Sequence, residues 1–109
     1  MKIAIPIIEK NETSQMSDRF GRSSYYLIYD SESSEIEIID NPAVQARGGA
    51  GIQAVQFLIS QDVKAVIAPE VGPNAFKVLR GSNTRIYKGI KTSAKELIEK
   101  WKNNELDEI

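Results

Sequence analysis

The chain has 109 residues and a formal net charge of −1, with 41% hydrophobic and 27% charged residues. A chain of this size can bury about two-thirds of its unfolded surface, so we expect one globular domain spanning residues 1–109. It contains neither cysteine nor histidine, which excludes disulfides, thiol chemistry, the common zinc sites and any catalytic Ser-His or Cys-His pair.

Charge and hydropathy also limit the partners. Nucleic acids and anionic membranes usually require a clustered positive excess, which a net charge of −1 does not provide. No apolar run approaches the roughly 18 residues of a membrane span, and the strand-like start at Met1 leaves no room for a signal peptide. We therefore expect a cytoplasmic protein that binds neither nucleic acid nor membrane.

The first half of the chain reads as strands and loops. Residues 2–8 are almost entirely apolar, which predicts a buried strand. Residues 9–24 form a long polar loop, and a loop of this length in a small domain is usually functional or disordered. Two strand-like segments follow at 25–30 and 35–40, and the four residues between them predict a hairpin.

The second half alternates helices with strands of parallel type. The predicted order is helix 52–59, strand 64–68, helix 73–81, strand 84–87 and a final helix opened by Ser93. Ser93 and Glu96 are spaced as a capping box for that last helix. Its apolar positions form one face, which predicts that Trp101 lies in the core. We expect the tail, residues 103–109, to fray.

This order of elements predicts an α/β fold with three layers, α/β/α, around a mixed five-stranded sheet. The first strand is central, with the antiparallel hairpin on one side and two parallel strands on the other. Ligands in such sheets bind beyond the carboxyl ends of the parallel strands. We expect the loop after residue 8, the corner at Gly48, and the turns at Gly72 and Gly89 to converge there.

A glycine corner, residues 47–51, opens the first predicted helix. Gly48, Gly49 and Gly51 leave backbone amides uncovered, and Arg47 adds a positive charge. Such a helix start attracts anions, because unpaired amides and the positive end of the helix dipole point outwards. The spacing matches neither a P-loop nor the dinucleotide fingerprint, and close packing of the helix on the sheet is the alternative explanation.

An arginine loop, residues 18–22, lies within the long polar segment. Arg19 and Arg22 flank an aromatic and a glycine, and paired arginines on a long loop are typical of anion-binding sites. The alternative is solvated charge, or an ion pair with Asp18 that locks the fold. Phe20 is expected to anchor the loop on the core, with stacking on a ligand as the other option.

Five motifs occur in a recognisable order along the chain: Asp18-Arg19-Phe20-Gly21-Arg22, Asn41-Pro42, Gly49-Ala50-Gly51, Gly72-Pro73-Asn74-Ala75-Phe76 and Ile86-Tyr87-Lys88-Gly89. With this order and spacing, the chain resembles the dinitrogenase iron-molybdenum cofactor biosynthesis family from residue 1 to about 106. That family comprises the small domain of NifX- and NifY-type proteins and of the C-terminal part of NifB.

The resemblance implies a ribonuclease H-like α/β/α fold. It also implies binding, carrying or protecting an iron-sulfur or iron-molybdenum cluster precursor, with cofactor-assembly proteins as partners. The ligand-binding residues are then expected to be Arg19, Phe20, Gly21, Arg22, Asn41, Arg47, Gly48, Gly49, Gly51 and Gly72. Many family members place one histidine where Arg19 stands and another near Gly48. Because this chain has neither, only amides, arginines, hydroxyls and carboxylates could hold a cluster. The expected occupant of the crevice is therefore either an anionic cluster or a small anionic ligand.

Other functions are possible in principle. A protein-interaction or regulatory adaptor with a vestigial site would need no ligand. An enzyme needs a nucleophile or an acid-base pair, and the acids near predicted strand ends are only Asp30, Asp40 and Glu70. Ribonuclease H-type nucleases need clustered carboxylates on their strands, yet residues 2–8 contain none. We therefore expect no catalysis, and a metal-dependent phosphate-ester hydrolase using Glu70 ranks last.

Overall fold

The computed structural model describes residues 1–109 and contains five strands and three helices. In chain order these are β1 (Lys2–Ile7), β2 (Tyr25–Asp30), β3 (Ile36–Asp40), α1 (Ala50–Ser60), β4 (Val63–Ala68), α2 (Pro73–Gly81), β5 (Arg85–Lys88) and α3 (Ala94–Lys102). The order is the one predicted from the sequence. None of the helices combines the length and apolar character that a membrane crossing requires.

All five strands form one mixed sheet in the order β3-β2-β1-β4-β5. The central strand β1 pairs antiparallel with β2 and parallel with β4. The hairpin β2-β3 completes one side of the sheet, and β5 extends the other side parallel to β4. Only β2 runs in the opposite direction, so the carboxyl ends of the other four strands meet at one edge. The predicted position of the hairpin and of the two later strands is confirmed.

One face of the sheet is covered by α1 and α2. Ala4, Tyr26 and Val66 project from three neighbouring strands into this layer, where they meet Leu58 of α1 and Leu79 of α2. These five residues are at most 1% exposed. Since side chains alternate between the faces of a strand, Ala4 belongs to this layer while its neighbours in β1 belong to the other. Burial of such apolar surface stabilises the packing of both helices on the sheet.

The opposite face is covered by α3 and by part of the long loop. Ile3, Ile5 and Ile7 of β1 meet Leu97 and other residues of α3 here. The helix begins at Ser93, whose hydroxyl accepts a hydrogen bond from the Glu96 amide at 3.2 Å, so the predicted cap is present. Trp101 is half-buried and meets the Tyr87 ring edge-on with centroids 6.4 Å apart. The three-layer α/β/α architecture is therefore confirmed.

The long polar loop is docked on the body of the protein along much of its length. Met16 forms a bridge with Ile7, and Gln15 forms one with Ser93. The buried Ser14 hydroxyl accepts from the amides of Ile8 and Glu9 at 3.0 and 2.9 Å. The loop thereby reaches from the end of β1 to the start of α3, which fixes the position of the residues that follow it.

Two predictions about the second half are wrong. The tail does not fray: the Lys88 amide donates to the Asp107 carbonyl and the Ile109 amide donates to the Ile86 carbonyl, both at 2.8 Å. The tail bonds to backbone groups on the outer edge of β5, where no further strand pairs.

Gly89 does not join the ligand crevice either. It is buried on the α3 side of the sheet, where its α-carbon faces the Met16 thioether.

Candidate functional site

An open cleft of about 660 Å³ lies at the carboxyl edge of the sheet. Three segments line it: the arginine loop, the start of α1, and the β4-α2 turn with the start of α2. Its lining residues are Asp18, Arg19, Phe20, Gly21, Arg22, Gly49, Ala50, Gly51, Ile52, Glu70, Val71, Gly72, Pro73, Asn74 and Ala75. Segments distant in the sequence converge because their strands end at the same edge.

The start of α1 presents uncovered amides to this cleft. Gly49 is the N-cap and has a left-handed backbone with φ of 67°, a conformation that glycine adopts without steric cost. No side chain caps this end. The first amide to bond within the helix is that of Gln53, which donates to the Gly49 carbonyl at 3.0 Å. The three preceding amides, of residues 50–52, therefore have no partner within the helix.

The start of α2 adjoins the start of α1. Gly72 is its N-cap and Pro73 its first residue, again without a side-chain cap. The Phe76 amide donates to the Gly72 carbonyl at 2.9 Å, which leaves the amides of residues 74 and 75 unpaired. A β-carbon placed on Gly51 would lie 3.3 Å from that of Ala75. Two positive helix ends therefore meet at one place, and each favours a bound anion.

The charged side chains of the cleft are not paired with one another. Arg19 and Arg22 are exposed, and neither lies within ion-pair distance of a carboxylate. Arg22 makes only a 3.4 Å hydrogen bond to the Val44 carbonyl. The acids Asp18 and Glu70 likewise lie within ion-pair distance of no cation. The predicted alternative of an ion pair between an arginine and Asp18 is therefore wrong. Both guanidinium groups are available for an anion.

Phe20 is among the residues that line the cleft, but it is almost fully buried and anchors the loop on the core. The residue is 4% exposed and belongs to the core between the sheet and the α1-α2 layer. Its ring packs against that of Tyr26 in a tilted arrangement, with centroids 5.7 Å apart. Anchoring, which the sequence favoured over stacking on a ligand, is therefore the geometry present.

Asn41 lies behind the cleft, not on its surface. It is 2% exposed, and its amide donates to the carbonyls of Gly21 and Ser23 at 2.9 and 2.8 Å. Its side-chain oxygen accepts from the Ala43 amide at 2.9 Å. All the polar atoms of this side chain thus have partners within the protein, and none is left for a ligand.

Seven of the ten predicted site residues line the cleft, namely Arg19, Phe20, Gly21, Arg22, Gly49, Gly51 and Gly72. Arg47 and Gly48 are exposed and precede the cleft wall, which begins at Gly49. The structure adds Asp18, Glu70 and Asn74. Asp18 and Asn74 already belong to two of the five motifs, and Glu70, two residues before Gly72, is one of the acids noted near a predicted strand end.

The donors of the cleft suit an anion better than a bare metal ion. No group of three or more histidine, cysteine, aspartate or glutamate side chains is close enough to hold a metal. Backbone amides and guanidinium groups instead donate hydrogen bonds to negative oxygen or sulfur atoms. The chemistry available here is recognition of a negatively charged ligand.

Comparison with known proteins gives the family. The family model described as dinitrogenase iron-molybdenum cofactor matches residues 1–104. The chain belongs to this family. An uncharacterized protein of Methanocaldococcus jannaschii is 32% identical over 100% of this chain and 92% of the relative. The family resemblance that the five motifs carried is confirmed.

Solved structures agree with this assignment. A NifB-like protein from Thermotoga is 36% identical, with a TM-score of 0.86 over 98% of this chain and 91% of the other. The apo form of the orange protein from Desulfovibrio gigas superposes with a TM-score of 0.94 over 99% of this chain and 92% of the other, at 21% identity. At that identity the likeness shows a shared fold.

Proposed function

We propose that this protein is a non-catalytic carrier that holds an anionic iron-sulfur or iron-molybdenum cluster precursor in the cleft. The observation that carries the proposal is the meeting of two uncapped helix starts beside two unpaired arginines. Membership of the dinitrogenase iron-molybdenum cofactor family supports the class of ligand. In this proposal the cluster is cargo, received from and delivered to cofactor-assembly proteins.

The residues of the cleft fit the outer surface of such a cargo. The chain offers no cysteine or histidine to coordinate iron, so the precursor keeps its own inorganic ligands and is held through them. Arg19, Arg22 and the amides at both helix starts donate to its negative atoms. Charge-assisted hydrogen bonds contribute about 1.5–3 kcal/mol each, so micromolar binding, about −8 kcal/mol, requires several of them, because they must also offset the cost of association.

The absence of catalysis is part of the proposal. Asp18 and Glu70 are the carboxylates that line the cleft, and a two-metal hydrolase of ribonuclease H type needs a larger cluster of them. The ribonuclease H-like topology that the resemblance implies therefore supports a scaffold, not a nuclease. Turnover of a phosphate ester that depends on a divalent metal and disappears in Glu70→Gln would instead indicate the hydrolase.

Anaerobic reconstitution tests the proposal. The protein is incubated with iron, sulfide and molybdate, passed through gel filtration, and examined for visible absorbance and bound metal. We expect the wild type to retain metal. The double variant Arg19→Gln/Arg22→Gln is expected to bind at least tenfold more weakly, because each lost charge-assisted hydrogen bond corresponds to roughly 10- to 150-fold in affinity.

A matched control removes the same amount of charge elsewhere. Lys77 and Lys95 are exposed on α2 and α3 and form no ion pair, so Lys77→Gln/Lys95→Gln should retain metal like the wild type. Failure of the wild type to retain metal, or equal retention by the arginine variant, would contradict the proposal. That outcome would favour an adaptor with a vestigial site.

A further inference from the structure

Two buried side chains behind the cleft hold the backbone of the arginine loop. Tyr26 is 0% exposed and Asn41 is 2% exposed. The side-chain nitrogen of Asn41 lies 3.5 Å from the Tyr26 hydroxyl oxygen. The Tyr26 hydroxyl donates to the Phe20 carbonyl. The Asn41 amide donates to the carbonyls of Gly21 and Ser23. Three carbonyls within four residues of the loop are thus bound by one pair of side chains, which we call the polar hub.

The polar hub also fixes the segment that leads to α1. The Asn41 side-chain oxygen accepts from the Ala43 amide at 2.9 Å, and the Asn41 backbone amide donates to the Ser24 carbonyl at 3.1 Å. Asn41 therefore connects the arginine loop with the connection that ends at the glycine corner. Asn41 thus binds the arginine loop and the start of the connection to α1 at the same time.

The arginine loop is also in direct contact with α1. The loop approaches the first turn of α1 so closely that a β-carbon on Gly21 would lie 2.7 Å from the Gly51 α-carbon. Burial raises the pKa of the Tyr26 phenol well above its ordinary value, so the hydroxyl keeps its proton and remains a donor at neutral pH. These contacts within the protein constrain the loop in the absence of a ligand.

We propose that Tyr26 and Asn41 are positioning residues, which hold the arginine loop so that Arg19 and Arg22 face the two helix starts. Neither residue lines the cleft, so both act through the loop carbonyls. This positioning role adds to the proposed carrier function and depends on it only for the identity of the ligand. It explains why a buried asparagine follows β3, where an apolar side chain would leave two carbonyls unsatisfied.

Limited proteolysis of the ligand-free protein tests the positioning. Trypsin cleaves after Arg19 and Arg22, within the loop, and after Lys64 and Arg85, which lie in strands and require unfolding of the sheet. Tyr26→Phe keeps the ring and removes one hydrogen bond. We expect cleavage in the loop to accelerate about 5- to 150-fold relative to the strand sites, the range for an unsatisfied buried acceptor.

Tyr29→Phe is the matched control. Tyr29 is also buried in β2 but faces the α3 layer, so its substitution should leave the ratio of loop to strand cleavage unchanged. Asn41→Asp is the second variant, because it keeps the acceptor for Ala43 and loses both donors to the loop. An unchanged ratio in Tyr26→Phe and in Asn41→Asp, or equal acceleration at loop and strand sites, would overturn the positioning role.

A ligand measurement separates this inference from the carrier proposal. After reconstitution with iron, sulfide and molybdate, Tyr26→Phe should retain several-fold less metal than Tyr29→Phe, although both arginines are present. Equal retention would overturn the link between loop position and binding. If the wild type retains no metal, the carrier proposal fails, whereas the cleavage ratios still decide whether Tyr26 and Asn41 position the loop.

Discussion

Gly21 is the residue at which the arginine loop touches α1. A β-carbon there would lie 2.7 Å from the α-carbon and 2.9 Å from the nitrogen of Gly51. Both distances are shorter than a van der Waals contact, and the opposing atoms are backbone, so the helix start or the loop would have to move. The glycine is thus required by the closeness of the two walls of the cleft.

We therefore expect Gly21→Ala to lower the free energy of unfolding by about 1–3 kcal/mol, the usual cost of forcing extra atoms into a packed contact. Urea denaturation followed by circular dichroism measures it. Gly48→Ala is the control, because nothing lies within 4 Å of its added β-carbon, and it should change stability by no more than about 1 kcal/mol. Equal losses for the two variants would contradict this account.

Asn41 shows what the sequence could not reveal about single residues. Its place in an ordered motif predicted a role at the site, but the motif cannot distinguish a ligand contact from a buried support. That distinction depends on Tyr26 and on the loop carbonyls, which come from other parts of the chain. Arg47 lies outside the cleft lining for a related reason: Gly49 turns the chain with a left-handed backbone and is the first residue of this wall of the cleft.

The C-terminal tail is the element that the sequence misassigned. Residues 103–109 carry charge and little apolar periodicity, so nothing local predicts structure there. Residues 103–105 continue the last turn of α3, where the Glu105 amide donates to the Lys100 carbonyl at 2.8 Å. Residues 107–109 pair with the outer edge of β5, where Glu108 bridges Tyr87. By contrast, α3 and the hairpin were predictable, since the Ser93 cap and the four-residue turn are local signals.

Removal of residues 107–109 should expose the edge of β5. Two backbone hydrogen bonds are lost, which at about 0.5–1.5 kcal/mol each predicts a loss of about 1–3 kcal/mol in the free energy of unfolding. An uncovered edge strand also invites pairing between copies. Urea denaturation and size-exclusion chromatography at increasing protein concentration measure both effects.

The variant Glu108→Gln serves as the comparison for this truncation. It keeps the backbone bonds and removes only an exposed ion pair with Arg85, whose charged atoms lie 3.9 Å apart. Exposed pairs contribute little to stability, so this variant should behave like the full-length protein. A truncated chain with unchanged stability and unchanged elution would show that the tail does not protect the sheet edge.

For the molecule as a whole, the sequence predicted the layers and the sheet order correctly. Alternating apolar residues in β1 divide into Ile3, Ile5 and Ile7 on one face and Ala4 on the other, so one strand serves two cores. Such periodicity is visible in the sequence. The contacts that couple the two layers across the sheet cannot be seen in the sequence. These contacts decide whether residues 1–109 unfold as one unit.

We expect a single cooperative transition. Leu58 and Leu97 are 1% and 0% exposed in the α1-α2 layer and the α3 layer respectively, and truncation of either to alanine should cost about 2–5 kcal/mol. The single tryptophan, Trp101, packs beside the α3 layer, so its fluorescence reports on that side. In Leu58→Ala, fluorescence and far-ultraviolet circular dichroism should shift to the same lower urea midpoint. A tryptophan midpoint that stays at the wild-type value would show two independent units.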